Sequence, residues 1–193
     1  MGSLVLTGNT SGSVTVAVPD VAGSNTATIG AATGTHYPFT AGTAVASTSG
    51  TSIDFTSIPS WVKRVTVNLS GVSLSSTSHL LVQLGSGSAT TSGYVGTYVR
   101  VGSSSVNGAP TSGFQLTSTG NATDTHNAVI TFVNLTGNTW VGNGSSSTII
   151  STNYYIQNTT GLIALGGVLD RVRVTSVSGT DTFDAGSINI LYE

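Results

Sequence analysis

The sequence predicts an all-β protein: an antiparallel β-sandwich domain, jelly-roll-like, preceded by a short β arm built from small residues. Three observations predict it. Strong helix formers are nearly absent, while Val, Ile, Thr, Tyr and Gly are abundant. Apolar side chains recur at every second position, the period of a pleated strand with unlike faces. Gly, Asn and Ser clusters cut residues 53–193 into about eight to ten short segments, the spacing of a sandwich or barrel.

The 193 residues are 38% apolar, enough for a core, but only 6% are charged, against roughly 25% in ordinary globular chains. Ser, Thr, Gly and Asn take the surface instead.

At the N-terminal end, residues 4–6 and 14–18 read as strands around a turn at 8–12, with Pro19 closing the second strand. A turn at 23–25 leads to a third strand at 26–29. The apolar faces of these strands are too thin to bury a core, and a piece of this size is marginal alone. They are therefore expected to meet those of other copies in an intertwined homotrimer, whose heterologous contacts close about one axis. Residues 40–52 read as a linker or extended crossing segment. The expected domains are thus 1–52, arm and linker, and 53–193, sandwich.

Residues 53–58 form a lead-in strand that ends at Pro59, through which strand pairing cannot run, and residues 61–69 form a long strand. Further strands are expected at 80–84, 93–101, 113–117, 128–135, 139–141, 148–156 and 161–165. The turns between them fall at Gly71, 85–87, 107–110, 120–121, 137–138 and 143–144. Residues 168–175 and 187–192 alternate again on either side of a Ser-Gly-Thr-Asp turn, as a hairpin or as a pair meeting across the sandwich. The interior is assigned to Ile58, Val65, Val67, Leu69, Leu81, Leu84, Phe114, Ile130, Phe132, Leu135, Trp140, Leu165, Val172 and Ile190.

The few charges gather in the first and last long strands. Lys63, Arg64, Asp170, Arg171 and Arg173 are expected to form ion pairs that mark strand register, since each surface pair contributes less than about 1 kcal/mol while a one-residue slip turns the apolar face outward.

A net charge of −2 with five Lys and Arg gives no footprint for nucleic acid. No apolar run reaches membrane-spanning length, and no export signal opens the chain. The absence of cysteine excludes disulfides and thiolate metal sites. No Gly-x-Ser-x-Gly elbow occurs, and Asp181 with Asp184 flanks a turn, where capping turn amides or pairing with Arg171 or Arg173 suits them better than glycosidase chemistry. No enzymatic role, cofactor or metal is expected; His36, His79 and His126 lie far apart and read as surface or turn residues. The Asn-x-Ser/Thr triplets are what this composition yields by chance.

Ligand contact has better candidates, because flat rings beside amides suit sugar faces. Trp140, Tyr154 and Tyr155, with Asn143 and Asn158, are the candidate glycan contacts, set against core or subunit packing. Adjacent strand positions send the rings of Tyr154 and Tyr155 to opposite faces.

The closing segment LDRVRVTSVSGTDTFDAGSINILYE, with IDFTSIPSWVKRVTVNLSGVSLS from Ile53, resembles a domain at the C-terminus of bacteriophage tail-fibre and related virion structural proteins. The segment GNTSGSVTVAVPDVAGSNTATIGAATGT is similar to the small-residue β motif that such proteins place before it. The resemblance implies a virion-associated trimer on the tail or capsid exterior, tied to other virion proteins by the arm and touching a host-surface glycan with its terminal domain. It transfers no catalytic residue. A head fibre or capsid-decorating protein without a receptor role fits the same residues, and a monomeric carbohydrate-binding module fits the strand count.

Overall fold

The computed structural model describes residues 3–7, 13–17, 39–102, 104–150 and 153–193. The expected strand at 26–29, the turns at 8–12 and 23–25, and His36 lie outside them. The chain divides into Met1–His36 and Tyr37–Glu193. In the first unit, β1 (Ser3–Thr7) and β2 (Ser13–Ala17) pair antiparallel, Leu4 opposite Val16 and Leu6 opposite Val14.

The second unit opens with β3 (Thr40–Ala41), β4 (Val45–Ala46), β5 (Ser52–Thr56) and β6 (Arg64–Leu74). It continues with β7 (Leu80–Ser86), β8 (Ser88–Ala89), β9 (Val95–Val101), β10 (Val106–Gly108) and β11 (Phe114–Gln115). Three strands of twelve residues follow, β12 (Thr125–Thr136), β13 (Thr139–Ile150) and β14 (Asn153–Ala164), and then β15 (Arg171–Ser176) and β16 (Phe183–Tyr192).

In this unit all pairings among the described residues are antiparallel, in two sheets. The large one runs β10-β9-β14-β13-β12-β6-β16-β3, with β4 also on β16; the small one runs β11-β7-β15-β5, with β8 on β7. The long hairpins β12–β13 and β13–β14 stay within one sheet, so the layers are unequal and depart from the four-and-four arrangement of a jelly roll.

Between the layers lies one core. β6 contributes Val65, Val67 and Leu69, β15 contributes Val172 and Val174, and β16 contributes Ile188 and Ile190, all buried and all at alternate positions. The rings of Phe114 and Phe132, from opposite sheets, meet with centroids 4.9 Å apart. Tyr94 packs edge-on against Phe114, and its hydroxyl accepts from the Leu84 amide at 2.9 Å and donates to the Thr90 carbonyl at 3.0 Å. Each such fully buried side chain contributes about 1.5–3 kcal/mol over an exposed one.

Several expectations change, among them the turn at Gly71, which lies within β6. Residues 39–52 belong to the sandwich, not to an arm, because β3 and β4 add to β16, the Gly42 amide donates to the Ile190 carbonyl and Ser47 Oγ to the Ala185 carbonyl; the boundary falls after His36, not near Ser52. The turn expected at 143–144 is the middle of β13. There the missing side chains leave space: a Cβ on Gly142 would lie 2.7 Å from the Phe114 and Phe132 rings, and one on Gly144 2.6 Å from Ile130 Cβ. A glycine that makes room for a neighbouring ring looks, in sequence, like one that makes a turn. Leu135, assigned to the interior, is 67% exposed, because it shares the outward parity of Val129 and Val133 next to the bulge between Asn134 and Thr136. Of the two arrangements expected for the last two strands, the structure takes the pair meeting across the sandwich: β15 lies between β7 and β5, and β16 crosses to the other layer beside β6. The turn at 137–138 does stand where it was expected, Gly137 taking φ 51° between β12 and β13.

Candidate functional site

Half of the side chains on β9, β14, β13 and β12 point away from the core, and their cross-strand register builds an ordered surface. One row reads Val95, Leu162, Val141, Val133; the next Thr97, Thr160, Asn143, Thr131 and, on β6, Thr66; the next Val99, Asn158, Ser145, Val129, Asn68. Ile149 and Tyr154 pair at the far end. Eleven of the fifteen large apolar side chains exposed among the described residues lie on this face. None of its outward residues on these four strands is charged. Hydroxyls and amides bond to one another across the rows: Thr66 and Thr131 Oγ1 are 3.2 Å apart, and Ser145 Oγ donates to Asn158 Oδ1. A shallow groove of about 340 Å³ runs over Ser145 and Ser147 between Val129 and Ile156.

This face takes three of the five candidate glycan contacts. Asn143 and Asn158 are exposed on it, one row apart on neighbouring strands, and Tyr154 is 71% exposed. Tyr155 turns to the other side, half-buried, with the Arg100 guanidinium 4.6 Å from its ring centroid. Trp140 is no surface contact. At 3% exposure it lies in the core, because it shares the inward parity of Gly142 and Gly144, whose missing side chains make space in that layer.

The charged residues divide as well. Arg64 pairs with Glu193 where β6 meets β16, and Arg173 grips Asp54 across β15 and β5 through Nε (2.8 Å) and Nη2 (3.1 Å). Both pairs tie neighbouring strands. Asp170 and Arg171 instead pair with each other along the chain at 2.9 Å, and Lys63 donates to Asn134 Oδ1 at 3.3 Å, so these three mark no register by ion pairing with another strand among the described residues. The bond from Arg171 holds the Asp170 carboxyl below its usual pKa. Asp181 caps a turn, accepting from the Ser78 amide at 2.8 Å and from Ser178 Oγ at 3.2 Å.

One cluster escaped the sequence reading. His79 and His126, 47 positions apart, come close enough for their charges to interact inside one end of the sandwich. His126 is 1% exposed, its Nδ1 is 2.9 Å from Thr148 Oγ1, and burial, with the charge of His79, lowers its pKa to about 4. His79 is also lowered, by burial and then by Arg100, and lies 3.2 Å from Gln115 Nε2. Burial raises the pKa of Asp124, which closes its loop by accepting from the Asn121 amide at 3.0 Å. Gln157 Nε2 donates to the Gln115 carbonyl, linking the sheets at 2.9 Å. Inward parity at His126 and Arg100 is the one signal that the sequence held. Among the described residues no three His, Asp or Glu converge as metal ligands.

The small sheet carries a different surface. Across its outer side, between β5, β7 and β15, runs a groove of about 310 Å³ lined mostly by hydroxyl and amide side chains. The chain matches no protein-family model, no curated protein and no solved structure.

Proposed function

We propose that this chain is a non-catalytic structural protein of a virion fibre that acts as a homo-oligomer, three copies about one axis, with the outer face of the large sheet as the contact between sandwich domains. The observation that carries this is the concentration of exposed apolar side chains on one uncharged face. Exposed apolar patches of more than a few hundred Å² mark interaction surfaces in soluble proteins. Four strands about 4.8 Å apart and about 30 Å long present about 600 Å² in projection, before side-chain relief is added, against the roughly 800 Å² per partner of a specific interface. A neutral face meets its own copy without like-charge repulsion, so a second copy is the occupant that it suits. Tyr154, Asn143 and Asn158 then belong to the subunit contact. The likeness of the closing segment to virion fibre proteins supplies the setting: the virion exterior, attachment to other virion proteins through the N-terminal unit, Met1–His36, and host-surface adhesion by the sandwich.

The test is sedimentation or mass photometry of the full chain beside Val129→Lys and Ile156→Lys variants. Both positions are more than half exposed, so the fold should tolerate lysine while the oligomer dissociates at micromolar concentration. A monomeric wild type overturns the reading. An oligomer that persists in both variants moves the contact elsewhere. A second reading rests on the exposure of the Tyr154 ring: on a monomer the face is free to stack on sugar, and Tyr154→Ala then loses host adsorption with unchanged melting.

A further inference from the structure

We propose that the outer side of the small sheet holds a binding groove for a neutral saccharide, opposite the face assigned to subunit contact. The proposal deepens the adhesive part of the function above and rests on it for the class of ligand.

The groove is built by register. Leu81, Thr175 and Ser52 form one outward row across β7, β15 and β5, and Gln83, Arg173 and Asp54 form the next. Outward positions of a solvent-facing sheet are ordinarily open, yet Leu81 is 2% exposed and Gln83 5%. The loop that carries Ser112 and the turn at residues 176–179 rise beside them, so the site is concave in the free protein and needs no rearrangement to form. Its volume is at the lower end of small-molecule sites, about 300–1,000 Å³, which fits one or two sugar rings.

The polar atoms that it offers come in matched pairs. Gln83 Nε2 is held by the Ser112 carbonyl at 2.8 Å, which fixes the amide and leaves Oε1 as an acceptor without a hydrogen-bond partner among the described residues. Arg173 spends Nε and Nη2 on Asp54, which fixes the guanidinium and leaves Nη1 as a donor. The two residues are directly opposite on adjacent strands, about 5 Å apart at Cβ. A fixed donor beside a fixed acceptor suits a vicinal diol, whose hydroxyls each give and take a hydrogen bond. Thr175 Oγ1 donates to the Thr51 carbonyl at 2.8 Å and keeps its lone pairs for a third hydroxyl, above the Leu81 floor. The charge of Arg173 is matched by Asp54, so the groove selects hydroxyls over sulfate or carboxylate.

The experiment uses the full chain, isotope-labelled, titrated with glucose, mannose, galactose and N-acetylglucosamine oligosaccharides and, as charge controls, sialylated and sulfated ones. A neutral oligosaccharide should shift the amide signals of Leu81, Gln83 and Thr175. With unchanged melting, Gln83→Leu should weaken binding about 3- to 10-fold, the range for one neutral hydrogen bond, and Arg173→Lys about 10-fold or more, the range for one to a charged group. Thr175→Val, which keeps the shape, stands in if either variant unfolds. Tyr154→Ala should leave binding unchanged. Shifts centred on Tyr154, binding of charged glycans only, or no shift from any neutral member overturns the proposal. Sedimentation of the same samples separates the two ideas, since a monomer that binds in the groove refutes only the subunit contact, and an oligomer that binds nothing refutes only the groove.

Discussion

Acid should destabilise the sandwich through His126. The ring, on β12, is buried inside the sandwich and hydrogen-bonded to Thr148 of β13, with His79 and, beyond it, Arg100 as neighbours of positive charge and Asp124 two residues before it. Its folded pKa is about 4 against an ordinary 6.5. Between these values the unfolded chain takes up a proton that the folded one refuses, so stability is full above about pH 6.5 and falls as pH drops toward 4. The difference corresponds to about 3 kcal/mol, a large share of the roughly 5–15 kcal/mol of a domain. His79, lowered for the same reason, adds in the same direction. Asp124 acts oppositely: its raised pKa contributes stability that is present in acid and lost as pH rises through that value. The assay is guanidinium unfolding at pH 7.5, 5.5 and 4.5 followed by tryptophan fluorescence, with Trp140 as buried reporter. His126→Gln keeps a hydrogen-bonding group at this position without titrating near neutrality, and should lose less between pH 7.5 and 4.5 than wild type. Equal losses in the two proteins, or wild-type stability that does not change with pH, refute the reasoning.

Three further outcomes are expected from denaturant unfolding. Gly142→Ala drives a Cβ to 2.7 Å from two rings and should cost about 1–3 kcal/mol as overpacking; a variant as stable as wild type would show that the rings move freely. Val67→Asp buries an unpaired charge at a position of 0% exposure and should cost several kcal/mol, so soluble protein with an unchanged midpoint would place Val67 outside the core. Tyr94→Phe strips the Leu84 amide of its hydroxyl acceptor and should cost about 1–3 kcal/mol, and the Tyr94 phenol, pushed up to about 12 by burial, should be missing from a spectrophotometric titration that stops at pH 11.

What was legible in the sequence was whatever a period of two writes into neighbouring residues. β6 and β16 announced themselves because Val65, Val67 and Leu69, or Ile188 and Ile190, stand between polar residues. β13 did not, because its inward positions are Trp140, Gly142, Gly144, Ser146 and Thr148: the layer was already filled by Phe114, Phe132 and Ile130 from other strands, and small residues in a full layer carry no apolar rhythm. Trp140, assigned both to the interior and to the glycan contacts, is in the interior. Tyr154 and Tyr155 were split correctly by parity, yet which of them faces out is set by the register of β14 in the sheet, which puts Tyr155 on the side of the buried Gln157 and Thr159. The groove on the small sheet was invisible for a like reason: Gln83 and Arg173 become neighbours only through the pairing of β7 with β15.

That pairing sets a timetable. Among the described residues β5 pairs with β15 alone, and β6 lacks its second neighbour until β16 is made; Asp54 and Arg173 are 119 positions apart, Ser47 and Ala185 138. At about 5–20 residues per second on the ribosome, β5 waits roughly 6 to 24 s for its partner. Closure itself then falls among the slow, high-contact-order folders, in about milliseconds to seconds. By the end of that wait β12, β13 and β14 have joined β9 and β6, with their apolar outer face open and the far edge of β6 unmatched until β16 arrives. Crowded expression should therefore pit correct closure against association of half-made chains, and slower synthesis or lower temperature should raise the soluble yield without altering the finished protein.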